Sequence, residues 1–340
     1  MRILAWNCRG LGNPGAVQAV KLLISSEVPD VVFLSETRKS VTKMFSMRRS
    51  LGLPNLFPIG CAGNGRSRSG GVCLLWNDDT NVKITHGSLN HILCMAKHFQ
   101  SRSQMHILAI YGFSEAQHKL RTWELIQRLK PPDTTPWVCV WDFNDVLSPS
   151  DKLGGDPVNV AHLQLIDQAL QDCGLQDVGY SGYQFTWSNK RSIPNLIEER
   201  LDYALMNDSW KALWPVMEVF HLTRLSSDHN PILVSCGSTK REVFRKQKRL
   251  FRFEEVRLHD SEECAEIVAE VWSNGFQDVN SKITNVGKSL QLWGRLKFGA
   301  IPKKVSDLKV KLQNLQRSTQ TDEVVAAIRS TEAELESLLK

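Results

Sequence analysis

At 340 residues the chain exceeds the usual length of one hydrophobic core, so one large domain with an appendage, or two domains, is expected. A hydrophobic content of 42%, a charged content of 23% and ten tryptophans are globular values, which excludes disorder, collagen and a coiled-coil rod for most of the chain. The 42 Lys/Arg against 36 Asp/Glu give +6, and residues 239–252 alone hold seven Lys/Arg against one Glu, so the whole excess sits in that segment.

Taken in order, the chain predicts strands at RILAWN (2–7), DVVFLSE (30–36), GVCLLW (71–76), VKITH (82–86), HILCMAK (91–97), MHILAIYG (105–112), WVCVWDF (137–143), YQFTWS (183–188), RLDYALM (200–206) and PILVS (231–235). Several are continuous apolar runs, the pattern of strands buried on both faces. Helical periodicity appears between them at 15–26, 116–130 and 159–173, so sheets covered by helices are expected. No apolar run approaches the roughly 18 residues of a membrane span, and Met1 leads directly into a strand-like stretch, so an intracellular protein is expected, the nucleus included. Eight scattered cysteines form neither a CxxC pair nor a zinc-spaced Cys/His cluster, and most sit in apolar runs where a thiol packs as a small hydrophobe.

Beyond residue 252 the strands cease. Helix-period segments follow at 254–273, 280–299, 303–317 and 321–339, with Val305, Leu308, Leu312 and Leu315 on one stripe. The expected organisation is a mixed α/β domain at 1–237, a basic linker at 238–252 and a helical extension at 253–340. Lys240, Arg241, Arg245, Lys246, Lys248 and Arg249 make that linker either a phosphate-contact patch or a solvated hinge. Arg66 and Arg68, in the loop at 60–71, either follow a nucleic-acid backbone or solubilise a turn.

Polar residues cluster at predicted strand ends: Asn7, Glu36, Asp142 with Asn144, and Asp228 with His229; Asp202 lies mid-strand. Open α/β sheets place their sites at strand ends, and a buried unpaired carboxylate costs several kcal/mol, so each needs a partner or a ligand. Carboxylates converging with an amide and an imidazole describe a site for a hard cation. Each also has a plain structural role open to it. Asn7 can satisfy a strand end, Tyr111 can be a core tyrosine, and Asp202 can pair with Arg200. Trp123 and Trp187 read as packing residues.

AWNCRGLGNP, LSETR, the Tyr-Gly of IYGF, the Arg and Trp of LRTWELI, DFND, FTWSN, ERLDYAL and SSDHNPIL together resemble the endonuclease/exonuclease/phosphatase superfamily. More narrowly, they resemble the endonuclease-like domain of plant LINE-type non-LTR retrotransposon polyproteins over about residues 1–237, continuing weakly through KRLFRFE into the helical spacer that in such elements precedes the reverse transcriptase. The resemblance implies a four-layer α/β/β/α sandwich of the DNase I-like type, with the site at one end of its two sheets. It implies that Glu36 binds Mg²⁺ (Mn²⁺ as a substitute), with Asn7 and Asp228 close to the metal. Asp142 would orient or deprotonate the attacking water, and Asn144 would hold that water or a phosphate oxygen. His229 would contact the phosphate, oriented by Asp202, and Tyr111 would meet a nonbridging oxygen or the leaving group. The partner implied is DNA, with RNA as the alternative, and no membrane or small organic cofactor is expected.

Two positions depart from the pattern: Trp141 replaces the glycine usual before DFN, and Ser114 follows Tyr-Gly where relatives carry Pro or Asn. Strand alternation would send the Trp141 indole to the face opposite Asp142, between sheet and helix. The function expected is a strand-nicking DNA endonuclease. The alternatives are a catalytically inactive nucleic-acid-binding remnant and, disfavoured by ERLDYAL in place of a Trp-Cys-Asp-Arg box, an inositol-phosphate phosphatase or sphingomyelinase.

Overall fold

A computed structural model describes residues 1–63, 68–101, 103–237, 261–273, 278–318 and 321–339. Arg66 and the basic residues Lys240, Arg241, Arg245, Lys246, Lys248 and Arg249 lie outside the described residues, whereas Arg68 is described and exposed. In chain order the elements are β1 (Arg2–Asn7), α1 (Pro14–Glu27), β2 (Val31–Ser35), α2 (Val41–Leu51), β3 (Asn55–Ile59), β4 (Val72–Trp76), β5 (Thr80–Ser88), β6 (His91–His98), β7 (Met105–Tyr111), α3 (Leu120–Arg128) and β8 (Trp137–Asp142). There follow β9 (Lys152–Leu153), α4 (Val160–Cys173), β10 (Gln176–Asp177), β11 (Ser181–Gly182), β12 (Trp187–Ser188), β13 (Glu198–Glu199), β14 (Asp202–Met206), α5 (Asp208–Leu213), β15 (Met217–His221) and β16 (Ile232–Cys236). Four helices close the series: α6 (Ser261–Ser273), α7 (Val279–Phe298), α8 (Ile301–Arg317) and α9 (Asp322–Leu339).

Among the described residues one sheet runs β11-β15-β16-β1-β2-β4-β3 and a second runs β10-β14-β8-β7-β6-β5. Ile3, Ala5, Val31, Phe33 and Leu74 of the first meet Ile107, Ala109, Val138, Val140 and Ala204 of the second in one core. On the far face of the second sheet Leu108, Cys139, Tyr203 and Leu205 pack with Trp123 and Ile126 of α3 and Ile166 and Ala169 of α4. On the first, Leu4, Val32, Leu34 and Leu75 are fully buried, as are Ala16, Ala19 and Val20 of α1 and Met44 of α2. This is the four-layer α/β/β/α sandwich.

The periodicity reading missed α2, β3, α5 and β15, together with the two-residue strands β9, β10, β11 and β13. β3 carries Pro58, which removes a ladder donor and is tolerated because β3 is an edge strand. β15 (MEVFH) has no apolar run, and α2 buries only Met44 and Leu51. Conversely, of YQFTWS only Trp187–Ser188 pairs as a strand.

The chain divides into two compact units, one comprising Met1–Thr239 with Lys311–Lys340, the other Lys240–Val310. In the second unit α6 and α7 pack as a hairpin in which Glu263 accepts from Trp293 Nε1 at 3.0 Å and Lys297 Nζ at 2.6 Å. In the first unit the chain's last helix, α9, buries Val325, Ile328 and Leu335. All eight cysteines are free, and no described helix is long and apolar enough to cross a membrane.

Candidate active site

Register gathers the polar residues at one edge of both sheets. β1 and β2 are parallel, so Asn7 ends one strand beside Ser35, and Glu36 follows directly. β7 and β8 are parallel with Tyr111 opposite Asp142, while β14 is antiparallel to β8 and sets Asp202 opposite Asp142. Asp202 is therefore the first residue of its strand rather than mid-strand. Its backbone N–H donates to Thr186 Oγ1 at 3.0 Å. Asp228 and His229 precede β16, tied to β12 by a Trp187–His229 bridge.

The side chains form one connected network. Asn7 Nδ2 donates to Asp142 Oδ2 at 3.0 Å and lies 3.5 Å from Glu36 Oε1. Tyr111 donates its hydroxyl to the same Glu36 oxygen at 2.8 Å. His229 Nδ1 is 3.0 Å from Asp202 Oδ2, and its Nε2 faces Asp142 Oδ2 at 3.7 Å. Asn144 N–H donates to Asp142 Oδ1 at 3.0 Å while its amide is anchored on the Gly112 carbonyl at 2.8 Å. All eight residues that the motifs single out, from Asn7 to His229, thus stand within or beside a single cluster. Asp202 does not pair with Arg200, whose guanidinium is held by Asp177 at 2.6 and 3.0 Å.

Three residues went unread. Arg38 donates to Glu36 Oε2 at 2.6 Å, and Arg9 lies 3.9 Å from that oxygen while also donating to Asp228. Trp187, read as packing, donates its indole N–H to Asp228 Oδ2 at 2.8 Å. Trp123 is the core residue expected, stacked 5.5 Å from Phe143. Arg9, Glu36, Arg38, Asn144 and Ser226 all have positive φ, a conformation rare for non-glycine residues that clusters where function holds the backbone.

Trp141 departs from expectation. Its φ of 117° breaks the alternation of β8, so Val140, Trp141 and Asp142 turn inward in succession. The indole packs in the core between the two sheets, 5.8 Å from Phe33, rather than between sheet and helix.

The network's electrostatics follow from burial. Burial pushes the Asp142 carboxyl above its usual range, His229 opposes that shift, and Asp202 adds to it. Burial alone would lower His229, but the charges of Asp142 and Asp202 outweigh it and keep the ring protonated. For Glu36 burial works upward, yet hydrogen bonds from Arg38 and Tyr111 prevail and hold the carboxylate ionised. The Tyr111 hydroxyl is raised by burial and by Glu36, which keeps it a donor.

Two places offer cation ligands. Asp142, Asp202 and His229 present atoms within 4.8 Å of one another. The 3.0 Å contact between His229 Nδ1 and Asp202 Oδ2 is made through a proton, so these two atoms engage each other while His229 Nε2 faces Asp142. At Glu36 the Asn7 side chain presents its Nδ2, while its Oδ1 accepts from the Arg9 backbone N–H at 3.2 Å, and the positive charge beside the Glu36 and Asp228 carboxylates comes from Arg9 and Arg38. Those carboxylate oxygens are donors of the kind a hard divalent cation takes.

Two stacked sheets with flanking helices thus carry, at one edge, a polar network of carboxylates, amide and imidazole. The chain belongs to the endonuclease/exonuclease/phosphatase family, whose profile matches residues 4–229. Among solved structures it is similar to a 3′ phosphatase from Neisseria bound to a product DNA hairpin: 19% identity, 70% of this chain and 100% of that one, TM-score 0.51. It is also similar to the endonuclease domain of TRAS1, a telomere-specific non-LTR retrotransposon (13%, 69% and 97%, TM-score 0.50). An AP endonuclease from Archaeoglobus fulgidus gives 16%, 70% and 100%, with a TM-score of 0.52. No curated protein matches the chain.

Proposed function

We propose that this chain is a Mg²⁺-dependent phosphodiesterase that nicks one strand of DNA, derived from a plant LINE-type retroelement. The single observation that carries the reading is the Asp202–His229 pair facing Asp142, which is joined through Asn7 to Glu36 and Tyr111. Glu36, with Asn7 and Asp228 beside it, would hold the ion, which when bound neutralises charge on the phosphate oxygens. The carboxylate of Asp142, made more basic by its surroundings, takes the proton of the attacking water as that oxygen bonds to phosphorus and the P–O ester bond breaks, the departing alkoxide taking up a proton from solvent. His229, fixed by Asp202, donates Nε2–H to a phosphate oxygen on which charge grows. Tyr111 keeps its proton and meets the leaving side. A retroelement origin is supported by the motif order in AWNCRGLGNP, DFND and SSDHNPIL and by the likeness to a retrotransposon endonuclease domain.

One observation favours a second reading, an inactive nucleic-acid-binding remnant: Arg9 and Arg38 neutralise the carboxylates that a cation would need. A supercoiled-plasmid assay decides. Nicking in Mg²⁺ or Mn²⁺, absent with EDTA and lost in His229→Ala, is the expected result. Cutting by the unaltered chain no greater than that of His229→Ala would leave the remnant reading in its place.

A further inference from the structure

A cavity of about 470 Å³ opens beside Asp228, walled on one side by Arg9, Lys190 and Arg224 and on the other by α9. On α9, Val325, Ile328, Glu332 and Leu335 fall at i, i+3, i+7 and i+10, so one helix face carries a carboxylate within an otherwise buried apolar stripe. Placing a carboxylate there is costly unless it is paired. It is paired with the wall: Arg224 Nε and Nη2 each lie 2.7 Å from Glu332 Oε1, and Lys190 Nζ lies 3.3 Å from Oε2. One turn on, Glu336 Oε1 accepts from Asn13 Nδ2 at 3.4 Å on the rim. Arg224 itself is only 5% exposed.

Guanidinium and ammonium groups recognise carboxylates and phosphates with the same donors. This row of cations begins at Arg9, on the Asp228 carboxylate of the proposed centre, and runs outward along the cavity. We propose that it is the subsite for backbone phosphates flanking the scissile bond, and that α9 is an intramolecular competitor whose Glu332 and Glu336 occupy it in place of those phosphates. The inference rests on the nucleic-acid reading of the site. Wild-type protein is therefore self-restrained, and nucleic acid binds by displacing these two carboxylates.

The test uses the full chain and a fluorescein-labelled DNA duplex, with binding read by anisotropy in EDTA over a range of salt. Glu332→Gln with Glu336→Gln is expected to tighten binding about fivefold or more and to steepen the salt slope by roughly one to two, at about 0.9 per phosphate engaged. Adding Arg224→Ala to that pair should erase the gain. Unchanged or weaker binding by a double variant that melts cooperatively overturns the proposal. If the double variant does not fold, Glu336→Gln alone, at the rim, is expected to tighten binding about twofold, and no gain there overturns it equally. Nicking in Mg²⁺ separates the two readings. Tighter binding without any cutting keeps the subsite and rejects the nuclease, whereas cutting with unchanged affinity keeps the nuclease and rejects the subsite.

Discussion

Trp141 holds φ at 117°, outside even the small left-handed region open to L residues, so the backbone strain there is of order 1–3 kcal/mol. What maintains it is the buried indole, 1% exposed and packed against Phe33, because truncating a buried aromatic costs about 3–5 kcal/mol. Packing of the ring outweighs the strain. Trp141→Gly should relieve the strain yet lower stability by about 2 kcal/mol, and Trp141→Ala should lose the ring while keeping the strain. The expected order in urea denaturation is wild type, then Gly, then Ala, the reverse of the usual preference for alanine over glycine within a strand. An Ala variant more stable than the Gly variant would show that residue 141 does not hold this conformation in solution.

Strand β15 ends at His221, which is buried at 4% exposure, stacked 4.2 Å from Tyr180, and 2.7 Å through Nδ1 from the Tyr183 carbonyl. Burial lowers its pKa to about 4 against 6.5 for an exposed ring, so the unfolded chain takes up the proton first. The stability held by the neutral ring is thus complete above pH 6.5 and lost as pH falls toward 4, with about 2 kcal/mol gone by pH 5. Thermal melts from pH 7.5 to 4.5 should show this decline, and His221→Phe should flatten it even if the variant starts less stable. A slope unchanged in His221→Phe would assign the acid sensitivity elsewhere. The same strand marks where sequence stops being informative. β1, β2, β7 and β8 were legible because both their faces are buried and their residues form unbroken apolar runs, and the carboxylates interrupting those runs marked the site. MEVFH shows no such run, since its burial comes from neighbours distant in sequence. Arg9 and Trp187 were unreadable for a related reason, since their partner Asp228 is distant in sequence, whereas Arg38 reaches Glu36 two residues away through a local turn that no apolar pattern marks. Trp141 misled because alternation holds only while φ stays negative.

For the whole molecule, the distribution of charge sets how nucleic acid would be met. Outside residues 239–252 the acidic and basic side chains balance, so long-range attraction for a phosphate backbone has its largest source in that segment, which lies outside the described residues. Four arginines in and beside the candidate site are, by contrast, paired: Arg38 with Glu36, Arg9 with Asp228, Arg200 with Asp177 and Arg224 with Glu332. Affinity from residues 239–252 should therefore be strongly salt-dependent and insensitive to sequence, whereas the site adds short-range contacts that release few counterions. Replacing Lys240, Arg241, Lys246 and Lys248 by Gln should flatten the slope of log K against log salt by roughly three to four, at about 0.9 for each phosphate no longer neutralised, and weaken binding to all duplexes alike. The measurement is the salt slope of duplex binding in EDTA. A slope unchanged within about half a unit would make the segment a solvated hinge and leave the Arg9–Arg224 wall as the principal electrostatic contact.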